Sequence, residues 1–285
     1  MKKVLVTGAH GQVGTEINFL SSLLENHSFT FISHSDLDIT NEVDVRNAFT
    51  ITKYDVLINC AAYTAVDKAE SEIELAYKVN ADGAGLLALV CADNNCRFVH
   101  ISTDFIFDGY MGRPIQEDDA TNPLSVYGAS KLEGEKQVIN NNSNALIIRT
   151  SWVYSSFGNN FVKTILRLCR EREQLTVIAD QIGSPTYARD LAEAILDIIQ
   201  RDSWHAGIYH FSNEGVASWY DFAMAIRDIS GLSTKILPIE TYQYPTPAKR
   251  PKYSVLNKRK FKETFNREIP YWRNSIERCI KLLNE

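Results

Sequence analysis

The sequence contains few cysteines, and they show no pattern that would build a disulfide framework or a zinc site. The five cysteines, an odd number, stand at positions 60, 91, 96, 169 and 279, and no two of them form a C-x-x-C pair. Disulfide frameworks and structural zinc sites both depend on cysteines paired at short, regular spacings. The arrangement therefore predicts five free thiols that pack in the interior.

Long apolar runs and clusters of basic residues are also missing. The apolar stretch after Met1-Lys-Lys stops at Gly8, which is too short for a signal peptide and indicates a strand. No segment approaches the roughly 20 residues that a transmembrane helix needs. The net charge is −5, without a basic run or basic residues interleaved with aromatic ones. We therefore expect a cytoplasmic protein with neither a nucleic-acid nor a membrane partner.

Short apolar segments alternate with segments of helical periodicity. The candidate strands are residues 4–6, 29–32, 56–58, 98–101, 145–148 and 176–178. The candidate helices between them include residues 13–24, 43–52, 73–93 and 132–139. This alternation predicts an α/β fold with a doubly wound parallel sheet of the Rossmann type, whose ligand crevice lies at the carboxyl ends of the strands.

The second half of the chain is less regular. Prolines at 238, 245, 247, 251 and 270 mark loops, and the pattern predicts a strand at 207–211 and helices at 188–199, 218–229 and 275–283. We expect a dinucleotide-binding domain over residues 1–151, to which residues 173–202 return. A smaller, discontinuous substrate-binding lobe would comprise residues 152–172 and 203–285.

Three glycines directly follow the first predicted strand, in the segment Gly8-Ala-His-Gly-Gln-Val-Gly14. Glycines permit a tight turn and let the backbone approach a pyrophosphate, whose charge then sits at the start of the next helix. The spacing is G-x-x-G-x-x-G, whereas the common dinucleotide fingerprint is G-x-G-x-x-G. The segment predicts a cofactor-binding turn; the alternative is a glycine-rich turn without a ligand.

Tyr127 and Lys131 stand four residues apart in a predicted helix, downstream of a strand that ends near Thr103. Residues at this spacing share a helix face, so the lysine ammonium can lie beside the phenol. A nearby cation would lower the phenol pKa from about 10, and the phenol could then protonate a ketone oxygen near neutral pH. With Thr103 polarising the carbonyl, the trio predicts a carbonyl reductase. The alternative for Lys131 is a solvated helix lysine.

Further motifs extend nearly from end to end of the chain. They are Asn59-Cys-Ala-Ala-Tyr63, Ser102-Thr-Asp-Phe105, Arg149-Thr-Ser-Trp-Val-Tyr154, Gly158-Asn-Asn-Phe161, Asp180-Gln-Ile-Gly-Ser-Pro-Thr186 and Arg250-Pro-Lys-Tyr-Ser254. With the glycine turn and Tyr127-Gly-Ala-Ser-Lys131, they resemble the extended short-chain dehydrogenases/reductases, and within that group the dTDP-4-dehydrorhamnose reductases. The resemblance implies reduction of dTDP-4-dehydro-β-L-rhamnose to dTDP-L-rhamnose by hydride transfer from NAD(P)H.

The resemblance also implies which residues contact each ligand. Tyr127, Lys131 and Thr103 would be catalytic. The cofactor would contact Gly8, His10, Gly11, Gln12, Val13, Ser33, Asp38, Ile39, Ala61, Ala62, Tyr63, Tyr127 and Lys131. The dTDP-sugar would contact Thr103, Trp152, Asn160, Phe161 and Arg250. Structural alternatives are a turn carboxylate for Asp38, lobe core for Trp152, packing at a helix start for Phe161, and a solvated loop arginine for Arg250.

The end of the second predicted strand bears on the choice of cofactor. Its tip, Ser33-His-Ser35, has neither an arginine nor a carboxylate, although Asp36 could reach back. An acidic residue there would bind a ribose 2′-hydroxyl, whereas basic or small polar groups accept a 2′-phosphate. We expect NADPH to be preferred, with NADH also accepted.

Some enzymes of the resembled family pair through a magnesium site built from glutamates. Glu16 fits the first position, but Arg189 occupies the second, and a hard cation needs clustered oxygen ligands. We therefore expect no metal site, while a homodimer formed by other contacts stays open. Asn80 resembles an asparagine that supports the catalytic lysine through water, or it bonds locally to the backbone.

Two further functions stay open. The first is a reductase, epimerase or dehydratase acting on another nucleotide sugar, because such enzymes use the same tyrosine and lysine. The second is a non-catalytic regulatory subunit that resembles that of methionine adenosyltransferase.

Overall fold

The computed structural model describes residues 1–284. Its strands are β1 Lys2–Thr7, β2 His27–Ile32, β3 Val56–Asn59, β4 Arg97–Thr103, β5 Leu146–Thr150, β6 Val153–Tyr154, β7 Gln174–Ile178, β8 Ile182–Gly183, β9 Thr186–Tyr187, β10 Gly207–His210, β11 Ala217–Ser218 and β12 Lys235–Ile239. Its α-helices are α1 Gln12–Ser21, α2 Glu42–Ile51, α3 Val66–Ala69, α4 Ile73–Tyr77, α5 Ala84–Asp93, α6 Val126–Asn141, α7 Phe161–Glu171, α8 Ala188–Gln200, α9 Trp219–Ile229, α10 Arg259–Phe265 and α11 Trp272–Asn284.

Among the described residues, six strands pair in parallel to form the central sheet, in the order β10-β5-β4-β3-β1-β2. The strand order reverses between β1 and β3, which is the switch point where an open α/β sheet leaves a crevice. The predicted fold class, a doubly wound parallel sheet, is confirmed.

The alternation of side chains along β1 shows how the sheet is covered. Val4 and Val6 face one core, while Leu5 between them faces the other. Helices α1 and α8 pack together on the first face, and α2, α5 and α6 cover the second. Both faces are thus buried, as expected for β-branched parallel strands.

Two predicted strands lie in a different sheet from the one expected. β7, which contains residues 176–178, pairs with β12 in a separate two-stranded sheet, so its placement in the central sheet was wrong. β10 was assigned to the smaller lobe but pairs with β5 and forms the edge of the central sheet. Phe261 and Phe265 of α10 also pack in the central core. Sequence periodicity identifies a strand but does not choose its partner, because pairing depends on which sheet edge is open.

The division into two domains remains a proposal, with these boundaries changed. Residues around β7 join the smaller lobe, whereas β10 joins the central sheet and α10 packs in the core beside it. Residues 188–200 form α8 and pack on α1, where the sequence placed them.

The expectation that no segment reaches membrane-spanning length was wrong for residues 73–93. Helices α4 and α5 continue into each other through a π-helical segment, Lys78–Gly83, so the helix has 21 residues and is apolar enough to cross a membrane by length and composition. More than half of it is buried, and α5 packs along α6. Burial in the core accounts for this composition.

Candidate active site

A cleft of about 990 Å³ opens where β1, β3 and β4 end. It is lined by every residue predicted to be catalytic or to bind ligand, except Arg250. These residues come from distant parts of the chain because the carboxyl ends of parallel strands meet at one edge of the sheet.

The glycine turn brings the backbone close to the cleft. Gly8 has a φ of +69°, which a glycine adopts without strain, and a Cβ there would lie 2.6 Å from the amide nitrogen of Ala61. A Cβ at Gly14 would overlap the carbonyl oxygen of Gly8. No side chain caps α1, so the amides at its start are available to an anion. The turn therefore fits a dinucleotide pyrophosphate.

The end of β2 presents small polar groups to the cleft. Asp36 does reach back, and its carboxylate accepts hydrogen bonds from the backbone amide and the hydroxyl of Ser33, at 2.8 and 2.5 Å. These bonds to the Ser33 hydroxyl and amide lower the pKa of Asp36. Ser33 and His34 line the cleft. The carboxylate is thus engaged within its own turn.

The start of α6 places Tyr127 beside Thr103. Ser125 caps the helix, and its hydroxyl accepts from the amide of Gly128 at 3.2 Å. Gly128 allows the helix to approach the segment after β4, because a Cβ there would overlap the carbonyl oxygen of Phe105. The Phe105 ring packs edge-on against the Tyr127 ring, with centroids 5.5 Å apart.

The hydroxyl of Thr103 has local partners in this structure. It accepts from the Phe105 amide and donates to Asp104, both at 3.2 Å. To polarise a carbonyl, it would donate to the substrate in place of Asp104. The Asp104 carboxyl is buried, and this burial raises its pKa to about 6 against hydrogen bonds with Ser254 and Thr103.

The predicted effect of Lys131 on Tyr127 was wrong for this structure. The Lys131 ammonium group donates to the carbonyl of Ile101 at 2.7 Å and lies 3.3 Å from Nε2 of His100. Burial raises the pKa of Tyr127 to about 12, against an opposing interaction with Thr103. Burial also lowers the pKa of Lys131 to about 8. Burial, and not a neighbouring cation, is therefore the main cause of the shifted pKa of Tyr127.

The substrate side of the cleft contains an aromatic stack. Trp152, at the unusual φ of +47°, stacks on Trp219 with ring centroids 3.7 Å apart and planes within 8°. The stack rests on Gly183, where a Cβ would lie 2.6 Å from the Trp152 ring. Phe161 packs against Trp219 at 4.7 Å. Trp152 and Phe161 thus line the cleft and also pack against aromatic residues of the lobe, and their contact with substrate stays a prediction.

Asn160 connects the two predicted ligand regions. Its amide donates to Gln12 of the cofactor turn at 2.9 Å and to the carbonyl of Ser155 at 2.7 Å. Its oxygen caps α7 by accepting from the Lys163 amide.

Arg250 is the one predicted site residue that does not line the cleft in this structure. Its guanidinium binds both carboxylate oxygens of Asp67 in α3, at 3.1 and 2.8 Å, and also contacts Thr246 and the carbonyl of Ala248. In this structure the arginine joins its loop to α3, and its contact with substrate stays a prediction.

Asn80 holds the backbone of the cofactor loop. It accepts from the Tyr63 amide at 2.8 Å and donates to the Tyr63 carbonyl at 3.1 Å. Its amide also lies 3.0 Å from the Ser130 hydroxyl. The bonds to Tyr63 bridge two distant segments and differ from both roles considered for Asn80.

Glu16 is fully buried beside Arg189. Its carboxylate accepts from Arg189 Nε at 2.8 Å and from the Ser155 hydroxyl at 2.6 Å. Within residues 1–284, no group of three or more His, Cys, Asp or Glu side chains could hold a metal ion. A guanidinium beside Glu16 does not fit a magnesium site. The absence of a metal stays a prediction, which equilibrium dialysis with Mg²⁺ would test.

Several cleft residues were not identified from the sequence. The clearest is Trp219, while Phe222, Leu75 and Val79 also line the cleft. They stand on helices whose periodicity indicates only an apolar face. Their position became evident only when the helices were packed.

The chain matches known proteins along its whole length. The family model described as the RmlD substrate binding domain matches residues 1–285. The chain is 42% identical over 283 residues to the spore coat polysaccharide biosynthesis protein SpsK of Bacillus subtilis, covering 99% of this chain and 98% of that protein. It is 41% identical over 290 residues to the dTDP-4-dehydrorhamnose reductase of Aggregatibacter actinomycetemcomitans, covering 97% and 98%.

A solved structure agrees with these relatives. The crystal structure of dTDP-4-dehydrorhamnose reductase from Bacillus anthracis in complex with NADP has a TM-score of 0.94 at 38% identity, covering 99% of this chain and 100% of that chain.

Proposed function

Because the chain belongs to the RmlD family, members of which are named dTDP-4-dehydrorhamnose reductases, we propose that it reduces dTDP-4-dehydro-β-L-rhamnose to dTDP-L-rhamnose with NADPH. The family resemblance inferred from the motifs is confirmed. One observation carries the proposal beyond family membership: Thr103, Tyr127 and Lys131 line the same cleft as the glycine turn.

The proposed cofactor residues fit NADPH. The free amides at the start of α1 would hold the pyrophosphate, and Ser33 and His34 would accept the 2′-phosphate. The loop Ala61-Ala-Tyr63, held by Asn80, would lie along the nicotinamide ribose, with Lys131 bonded to the ribose hydroxyls. When bound, NADPH supplies the hydride for the sugar C4 carbonyl carbon.

Tyr127 donates the proton in the proposed reaction. As the C4 carbonyl carbon gains hydride, its oxygen takes the phenolic proton, which leaves a phenolate on Tyr127 and an alcohol on the sugar. Lys131, on the same face of α6, stabilises that phenolate when it carries a positive charge. Thr103 donates a hydrogen bond to the same oxygen, and the cleft contributes by orienting the reactants.

The lobe side of the cleft would hold the dTDP-sugar. Trp152 lines this side of the cleft and would lie beside the sugar, while one face of its ring is stacked on Trp219. Asn160 and Phe161 lie at the start of α7 and would contact the nucleotide. The homodimer and the cytoplasmic location stay proposals, and light scattering after size-exclusion chromatography would test the first.

The test is NADPH consumption in the presence of dTDP-4-dehydro-β-L-rhamnose made in situ by the preceding enzymes. Tyr127→Phe removes the proton donor, so we expect turnover to fall by about 10²-fold or more with NADPH binding nearly unchanged. Tyr110→Phe, at a tyrosine that is 75% exposed, is the matched control and should keep full turnover.

Equal turnover in Tyr127→Phe would exclude the acid role. No NADPH or NADH consumption by the unmodified protein would contradict the proposed reaction. Bound NAD⁺ retained through purification would then favour an epimerase or dehydratase, and co-purification with a larger partner would favour a regulatory subunit.

A further inference from the structure

Behind the cleft, Lys131 contacts a buried chain of polar side chains that runs through the central sheet. The chain consists of Thr7 at the end of β1, Asn59 at the end of β3 and His100 in β4, and each of these side chains is almost completely buried. Buried polar groups need correctly oriented partners, so the donors and acceptors along this chain can be assigned in order.

The orientation of Asn59 is set by a backbone amide. Its oxygen accepts from the Ala61 amide at 3.1 Å and from the Thr7 hydroxyl at 2.7 Å. A backbone amide only donates, so a flipped side chain would set two donors against each other. The Asn59 amide nitrogen must therefore be the group that lies 3.0 Å from Nδ1 of His100.

That contact selects the tautomer of His100. Nδ1 accepts from Asn59, so in the neutral ring the proton is on Nε2. Burial holds the pKa of His100 well below its ordinary value, which keeps the ring neutral. The Nε2–H group then faces the Lys131 nitrogen at 3.3 Å. A neutral amine can accept this hydrogen bond, whereas an ammonium has no lone pair.

We propose that His100 is a positioning residue: Asn59 holds it as the Nε2–H tautomer, and in this form it opposes the protonation of Lys131. When Lys131 is protonated, its ammonium group and the Nε2–H group of His100 are two donors facing each other. His100 can relieve this only by moving its proton to Nδ1, which breaks its hydrogen bond with Asn59. This inference rests on the proposed function only for its kinetic consequence, since the tautomer is a property of the protein without substrate.

The other groups around Lys131 are consistent with this arrangement. Burial is the largest cause of its lowered pKa of about 8, while Glu135 on α6 and Cys60 after β3 act to raise it. Glu135 is bound to Arg149 at 2.7 Å, and burial raises the pKa of the Cys60 thiol to about 12. Tyr127 keeps its proton in the neutral range. Glu135 is therefore paired, and Cys60 and Tyr127 keep their protons. Among these neighbours, only His100 has a proton whose position depends on the charge of Lys131.

The first test is ¹⁵N nuclear magnetic resonance of the histidine-labelled protein without ligands. His100→Gln assigns the His100 signals, and His27→Gln is the matched control that should leave them in place. We expect the Nε2–H tautomer above about pH 8, with a shift of the ring signals as Lys131 titrates. An Nδ1–H tautomer across the whole range would overturn the proposal.

The second test is the Asn59→Asp variant, which replaces the donating amide by an acceptor. We expect the Nδ1–H tautomer, whose free Nε2 accepts from the Lys131 ammonium. The alkaline limb of kcat/KM for NADPH, which reports the free enzyme, should then move up by about one pH unit. A switched tautomer with an unmoved limb would overturn the link to Lys131. Absence of activity in the unmodified protein would contradict the proposed function and leave the tautomer test intact.

Discussion

At the scale of single residues, the proposed acid keeps its proton throughout the neutral range. Burial raises the pKa of Tyr127 to about 12, and the Asp104 charge acts in the same direction. The phenol is therefore available to donate, as reduction requires. The spacing of Tyr127 and Lys131 indicated a shared helix face, but it could not show that the lysine would bond to Ile101.

Asp104 should make stability depend on pH. Its folded pKa of about 6 lies above its ordinary 3.8, so the folded state binds this proton more tightly. The free energy of unfolding therefore falls as the pH rises between these values. Above about pH 6, the whole loss of stability from ionising the buried carboxyl is present. An asparagine at this position cannot ionise, so the Asp104→Asn variant does not lose this stability. The free energy of unfolding of the variant, relative to that of the unmodified protein, should therefore be higher at pH 7 than at pH 4 by up to about 3 kcal/mol.

Urea unfolding of both proteins at the two pH values measures this difference. Asp202→Asn, in an exposed loop, is the control. Its free energy of unfolding should differ from that of the unmodified protein by the same amount at each pH. An offset for Asp104→Asn that is equal at pH 4 and pH 7 would contradict the assigned cause.

At the scale of elements, close backbone approach positions the cofactor loop. A Cβ at Gly134 of α6 would overlap the carbonyl oxygen of Asn80, so only a glycine lets α6 pack against the π-helical segment. Asn80 in that segment then holds the Tyr63 backbone. The π-helical turn thus places a side chain that holds the backbone of the loop at Tyr63.

Gly14→Ala should weaken NADPH binding. The added Cβ would overlap the Gly8 carbonyl, and because both partners are backbone atoms the turn itself must move. We expect the Kd, measured by NADPH fluorescence, to rise by about tenfold, or about 1.4 kcal/mol. Gly85→Ala in α5 is the matched control, because its Cβ meets side chains of α6 and no backbone atom of the cofactor turn. Equal Kd values for the two variants would contradict the role of the turn.

At the scale of the whole molecule, one buried ion pair joins three parts of the chain. Glu16 of α1 binds Arg189 of α8 and the hydroxyl of Ser155 in the smaller lobe. The Arg189 guanidinium also lies over the Phe19 ring at 4.5 Å. The Glu16–Arg189 ion pair occupies the position of the magnesium site considered from the sequence, where a metal ion would need free carboxylates.

Arg189→Met should destabilise the fold by about 3 kcal/mol, because it leaves Glu16 buried without its cation. The double variant Glu16→Gln, Arg189→Met removes both charges and should recover much of this loss. Urea unfolding of the single and double variants measures the difference. A double variant as unstable as Arg189→Met would show that packing of the arginine, and not its charge, carries the effect.

The sequence by itself determined the features that depend on neighbouring residues. The glycine turn, the helix face shared by Tyr127 and Lys131, and the parallel sheet all follow from spacing, since backbone conformation and helix periodicity act over a few residues. The family motifs extended this to the predicted site residues, all of which except Arg250 line the cleft.

Only the tertiary structure decided which distant groups meet. It paired β7 with β12 and β10 with β5, brought Trp219 against Trp152, and bound Arg250 to Asp67. It also half-buried Tyr127, which raises the pKa of the phenol, and it placed His100 beside Lys131. Strand pairing and desolvation depend on elements far apart in the chain, whose approach no local spacing records.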